Sequence, residues 1–283
     1  MNGTMIFHKA GLQSSIQDMG RYGYRKYGVP LSGSMDQNSA IRANLIVGNQ
    51  PGAPVVEITV VGPQIEFTSD ATIALVGADL TPKLDKKSIA LNTRVNVLKG
   101  QVLEFGKCKY GIRAYLSIAA TLQSEKVMNS FSQFSGITSD HQLRNGDQVG
   151  YMNGKLMSEA SSAIKIDKKY FNTKKLEVFP GPEFNLLGKD QLKSVFDQDW
   201  TIGPNNRMGY QLNNKLMPGH TREIITTQTI PGTIQLTPAG KLLALMRDAQ
   251  VTGGYPRILQ LSELSINQLA QKTERSIVRF KIA

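Results

Sequence analysis

Cysteine and histidine are nearly absent from this chain of 283 residues, which has Cys108 as its single thiol and His8, His141 and His220 as its three imidazoles. One cysteine excludes an internal disulfide and a cysteine-based zinc site, and points to a reducing, cytoplasmic setting. The histidines lie far apart in unlike segments, so no histidine triad or metal site is expected; each is read as a surface or hydrogen-bonded structural residue. No apolar run is long enough to span a membrane, and the N-terminal MNGTMIFHKAG lacks the basic and long apolar regions of a secretion signal. Phosphate-loop, GxSxG and HExxH motifs are also missing.

Acidic residues are outnumbered, 22 against 33 Lys and Arg, giving a formal charge of +11. That excess invites a nucleic-acid partner, but its arrangement argues against one. The lysines come in scattered pairs, Lys86-Lys87, Lys168-Lys169 and Lys174-Lys175, without a basic helical stripe or an aromatic-interleaved basic strand. Most of the charge is therefore solvated surface, with some available to an acidic protein partner or an anionic substrate.

Short apolar runs punctuated by Gly, Pro and Asp dominate what is present. Residues 4–8, 55–61, 64–67, 73–76, 94–98, 102–105 and 112–119 are expected strands, as are 176–179, 201–202, 207–212, 233–237, 241–246 and 277–282. Three helices are predicted. Ser34 and Gln37 form a capping box for one that Gly48-Asn49 ends; a second lies around Leu192, Val195 and Phe196; and Ser262 caps a third running to Gln271, with Leu264, Leu269 and Ala270 inward. The fold class is mainly β with a few helices. Two β-rich domains are expected, 1–165 and 166–283, with the boundary in the polar stretch 155–175.

Candidate chemistry gathers where strands end in glycine. The stretch Met246–Arg257, MRDAQVTGGYPR, follows five apolar residues with Arg247, Asp248, Gln250 and Thr252 and then Gly253-Gly254-Tyr255-Pro256. If the strand continues, Asp248, Gln250 and Thr252 share one face, and the glycine pair offers positive φ and bare backbone amides to a ligand. Asp248 is the expected acid/base or orienting group. Asp18 and Arg21 in QDMGR pair a carboxylate with a guanidinium, suited either to an anionic small molecule or to bracing a turn. Arg207 and Gln235 add a second guanidinium and an amide, while Asp36 is expected to cap its helix.

These stretches are also where the chain resembles a known family. QDMGR (17–21), GSMD (33–36), NLIVGN (44–49), EITVVGP (57–63), RAYLSIA (113–119), RMGYQL (207–212), GTIQLTPAG (232–240) and DAQVTGGYPRI (248–258) occur in the order seen in the KipA/allophanate hydrolase subunit 2 family. That family includes the C component of bacterial 5-oxoprolinase and resembles the carboxyltransferase part of biotin-dependent urea carboxylase. The resemblance implies two cyclophilin-like β-barrel domains, and a KipI-like B component working with an A component to open 5-oxoproline to glutamate. ATP would bind at or with the partner. The alternatives it implies are a carboxyltransferase acting on urea or a similar amide, with biotin on another chain, and a non-catalytic regulator of a KipI-like kinase inhibitor. Asp248 would be catalytic, and Asp18, Arg21, Arg207, Gln235, Gln250, Thr252, Gly253, Gly254 and Tyr255 would bind substrate. The sequence departs from the family pattern at Ala119-Ala120-Thr121, at Asn129–Gln133 where an arginine is usual, at Lys272–Arg275 and at Arg247. The departures at 119–133 bear on activity and substrate more than on fold.

Overall fold

The computed structural model describes residues 2–158, 167–217 and 224–283. Two units share these residues. The first takes the chain up to Arg21 and again from Ser32 to Lys168; the second takes Tyr22–Leu31 and Lys169–Ala283. The short segment Tyr22–Leu31, which a boundary near 155–175 would leave with the N-terminal domain, thus belongs to the second unit.

Side-chain alternation explains the first unit. Its two sheets have the strand orders Thr121–Leu122, Gln148–Met152, Gly3–Lys9, Gln64–Phe67, Val102–Glu104, Lys83–Leu84, Lys87–Ser88, and Gln13–Gln17, Val55–Thr59, Tyr110–Ile118, Ala71–Asp79, Arg94–Val97. Ile73 and Leu75 join the core with Met5, Phe7, Ile65 and Phe67, whereas Ala74 and Val76 project to the opposite face and pack under helix α1 (Gln37–Ile46). The parity flips at Gly77. Its φ is +101°, and a Cβ there would lie 2.4 Å from the Arg113 carbonyl oxygen, so only glycine fits. The register with Tyr110–Ile118 slips at this point, and beyond it Ala78 and Leu80 face the core while Asp79 does not.

Helix α1 starts from Asp36 rather than Ser34. The Asp36 carboxylate accepts from the Ser39 amide at 3.1 Å and the Ser39 hydroxyl at 2.7 Å, two bonds that a serine hydroxyl at position 34 is too distant to make. Beneath it, buried Glu57 accepts from the Met35 amide (2.7 Å) and the Tyr115 hydroxyl (2.9 Å), and that hydroxyl accepts from the Asp36 amide (2.7 Å). Burial, then the charges of Glu57 and Asp36, push the Tyr115 phenol well above its ordinary range.

The second unit is a closed barrel in the order Lys175–Pro180, Arg257–Leu261, Thr233–Leu236, Lys241–Leu245, Gly209–Lys215, Trp200–Asn205, Ile277–Ile282. Parallel pairing of the first and last strands closes it, leaving neither with an open edge there. Trp200 and Phe280 stack obliquely at 6.0 Å in the interior, and the Trp200 indole donates to the Val195 carbonyl of α3 (Lys189–Asp197), after the four-residue α2 (Lys169–Asn172). In α4 (Glu263–Leu269) the Ser262 hydroxyl accepts from the Ser265 amide, the expected cap. Leu264, expected inside, is 49% exposed, because it lies about 200° around the helix from buried Ile266. The mainly β class with few helices is what the structure has.

Candidate functional site

In the second unit, Leu245 is the last strand residue before the stretch of interest. The Met246 amide still bonds the Met208 carbonyl at 2.9 Å, but Ala249 turns back onto Met246 at 3.1 Å. The expectation that Asp248, Gln250 and Thr252 share a strand face is therefore corrected: the chain bends at Asp248, burying it and leaving Gln250 and Thr252 exposed. Thr252–Gly253 instead forms a two-stranded ribbon with Thr227–Gln228.

Asp248 is held by Arg207 from two directions. Nε reaches Oδ2 at 2.7 Å and Nη2 reaches Oδ1 at 3.1 Å, while the Asp248 amide donates to the Arg207 carbonyl at 2.9 Å. Both side chains are over nine-tenths buried. A bidentate pair this dry fixes the plane of the guanidinium, so Asp248 is placed as an orienting group.

Gln235 projects from the neighbouring barrel strand and lies under Gly253. A Cβ on Gly253 would come within 2.5 Å of the Gln235 amide nitrogen, which donates to the Tyr255 carbonyl at 3.4 Å. Close approach, not backbone conformation, is what requires glycine here, since neither Gly253 nor Gly254 has the positive φ expected of the pair. Gly254 and Tyr255 are exposed beside it.

Two further arginines that sequence reasoning passed over hold the same loops. Arg25 donates to the Thr229 carbonyl and, at 3.5 Å, to that of Val251, and burial lowers its pKa. Arg257 forms a second bidentate pair, with Glu183 at 2.9 and 2.7 Å, and donates to the Gln228 carbonyl at 2.6 Å. The hydrogen bonds from Arg257 draw the Glu183 carboxyl below its usual range. The Thr229 hydroxyl completes the frame by donating to the Gln250 carbonyl at 2.6 Å. The PGPE turn containing Glu183 and the Arg in YPRI were the available signals. Arg247 turns away, donating to Glu263 and to Asn267 of α4.

Asp18 and Arg21 belong to the first unit, where both engage the divergent 129–133 block. Asp18 Oδ1 accepts from the Gly20 amide (2.8 Å) and the hydroxyls of Ser130 (2.7 Å) and Ser132 (2.6 Å), and Oδ2 accepts from the Phe131 amide (2.7 Å). Arg21 donates to the Ser132 carbonyl. The two serines thus serve the QDMGR carboxylate directly. Of the histidines, His8 pairs with Glu66 at 2.8 Å, His141 is exposed, and His220 lies outside the described residues.

Among the described residues no group of three or more His, Cys, Asp or Glu is placed to hold a metal, and no helix is long and apolar enough to cross a membrane. The start of α1 does not fit the phosphates of ATP, because Asp36 and Glu57 already bring carboxylates to its amides.

The family model for the carboxyltransferase domain, subdomain A and B, matches residues 27–282. The chain belongs to this carboxyltransferase-domain family. A member of known name, the C component of 5-oxoprolinase from Escherichia coli (strain K12), is 32% identical over 269 residues, covering 93% of this chain and 86% of that protein. Two solved structures share the carboxyltransferase-domain fold. The crystal structure of TTHA0988 superposes with a TM-score of 0.89 at 24% identity over 98% of this chain, which spans 55% of that one. Kluyveromyces lactis urea carboxylase gives 0.85 at 26% identity over 98% of this chain, which spans 27% of the larger protein. The resemblance carried by the eight ordered blocks is thereby confirmed for the family.

Proposed function

We propose that this carboxyltransferase-domain protein is the C component of an ATP-dependent 5-oxoprolinase, acting in the cytoplasm with a KipI-like B component and an A component to open 5-oxoproline to glutamate. The observation that carries the proposal is the likeness to the Escherichia coli protein, which runs through most of both chains. A chain matched over that length has kept the surfaces that meet its partners as well as its core.

The loop frame of the second unit supports a role with small planar amides. Arg207, locked in one plane by Asp248, presents a fork suited to a carboxylate or a developing oxyanion, and Gln235 and the Gly253-Gly254 backbone add neutral hydrogen-bonding groups. Substrate binding is assigned to Arg207, Gln235, Gln250, Thr252, Gly253, Gly254 and Tyr255, with Asp248 orienting. Asp18 and Arg21 shape their own loop. ATP is assigned to the partner side of the complex.

A second proposal, carboxyl transfer to urea or a related amide, is favoured by the likeness to urea carboxylase. It requires biotin on another chain, since Lys155 and Lys215 have no Met-Lys-Met context. The deciding experiment mixes the purified chain with its KipI-like and A-type partners, ATP and 5-oxoproline, and omits each component in turn. Glutamate and ADP that form only with this chain present support the first proposal. An assembled complex that forms none, but carboxylates urea once a biotinylated carrier is added, replaces it with the second.

A further inference from the structure

The register slip at Gly77 opens one end of the first unit into a cavity of about 610 Å³. This is within the range of small-molecule sites. Its walls carry three lysines, Lys83, Lys109 and Lys168, against one carboxylate, Asp79. Asp79 offsets only part of that charge: its Oδ2 lies 3.7 Å from the Lys109 ammonium, while Oδ1 accepts from the Thr81 amide at 2.9 Å and so shapes the rim. Lys168 lies over the Tyr110 ring, 5.7 Å from its centroid. Ile89 and Leu91 give the cavity an apolar wall, and both pack against the sheet core.

The three ammoniums come from separate parts of the chain: Lys83 from a hairpin, Lys109 from the start of a long strand, and Lys168 from the end of the unit. Lysines without a function in common have no reason to converge on one concavity, where their mutual repulsion costs stability. The surplus of two positive charges matches a dianion better than a single carboxylate, and the apolar wall with Tyr110 matches a flat or hydrocarbon body.

We infer that this cavity binds a small phosphate monoester, with the phosphate among Lys83, Lys109 and Lys168 and the organic body against Ile89, Leu91 and Tyr110. The inference is independent of the proposed 5-oxoprolinase activity.

Calorimetric titration of the full chain with phenyl phosphate, inorganic phosphate and benzoate at low ionic strength tests it. Phenyl phosphate should saturate one site and bind about tenfold tighter than either other probe, a difference of about 1.4 kcal/mol. The triple substitution Lys83→Gln, Lys109→Gln, Lys168→Gln should weaken phenyl phosphate by at least about tenfold. The control Lys86→Gln, Lys87→Gln, which removes exposed charge outside the cavity, should leave it within about twofold. Unchanged melting temperatures in both variants establish that the fold is intact. Non-saturable binding, equal weakening in both variants, or benzoate or inorganic phosphate binding as tightly as phenyl phosphate would overturn the inference.

Discussion

Arg207 and Asp248 meet as a two-point pair, Nε to Oδ2 at 2.7 Å and Nη2 to Oδ1 at 3.1 Å, in a place almost closed to solvent. Breaking one end of such a pair leaves a buried charge without its counterion. Asp248→Ala should lower stability by about 3 kcal/mol. Asp248→Asn keeps the shape but loses the charge and one of the two strong bonds, and should lower 5-oxoproline turnover by about tenfold or more, with a smaller loss of melting temperature. Parallel assays of turnover and thermal unfolding separate these effects. Full turnover by the asparagine variant would remove Asp248 from the proposed site.

Gly253 and Gln235 should show coupling. Gly253→Ala pushes a methyl into the Gln235 amide and should cost about 1–2 kcal/mol, with turnover falling as the ribbon shifts. Adding Gln235→Ala makes room. A double-mutant cycle in unfolding free energy should then show at least about 0.5 kcal/mol of relief. Strict additivity would mean that the loop accommodates the methyl by moving elsewhere.

The first unit makes a separate prediction. Asp18→Ala strands the Ser130 and Ser132 hydroxyls and the Gly20 and Phe131 amides, and should cost about 2–4 kcal/mol. In Ser130→Ala, Ser132→Ala the carboxylate keeps its two backbone donors, so the loss should be smaller. Chemical denaturation of the three proteins gives the ranking, and equal losses would contradict it.

Lys272 is nearly buried, its ammonium donating to the Phe171 carbonyl at 2.7 Å, and desolvation lowers its pKa from 10.5 to about 8. The folded chain therefore holds fewer protons on this group than the unfolded chain between these two values, so stability from this group rises with pH across that window; the full cost of burying the charge is present below about 8. The gain should be about 1–3 kcal/mol once partial hydration is allowed for. Other lysines and tyrosines titrate nearby, so the measurement is the difference in melting temperature between the wild-type chain and Lys272→Met as pH rises from 8. That difference should narrow or reverse in favour of the wild type. A gap that stays constant refutes the assignment.

Apolar patterning made most of the strands legible: Gln64–Phe67 falls where its runs place it, and Ile277–Ile282 likewise. The strand Gln13–Gln17 escaped because it is buried with polar side chains, Ser14, Ser15 and Gln17, and hydrophobicity carries no trace of it. Alternation at Asp248, Gln250 and Thr252 misled for a different reason. A period of two persists in a sequence after the ladder has ended, and only the Ala249 turn onto Met246 marks the end. Arg207 and Asp248 were individually legible as candidates, but their pairing joins positions 41 apart and required the barrel. Arg25 was invisible as a neighbour of Thr229 because its segment crosses from one half of the sequence to the other unit.

That crossing has a genetic consequence. Because Tyr22–Leu31 lies inside the coding region of the first unit yet belongs to the second, no single cut in the gene yields a complete copy of either. A recombination event that exchanges the C-terminal part alone brings a barrel whose Arg25 contacts are supplied by a foreign sequence. Inheritance of the second unit intact takes two crossovers flanking the first, so the halves of this protein are constrained to diverge together.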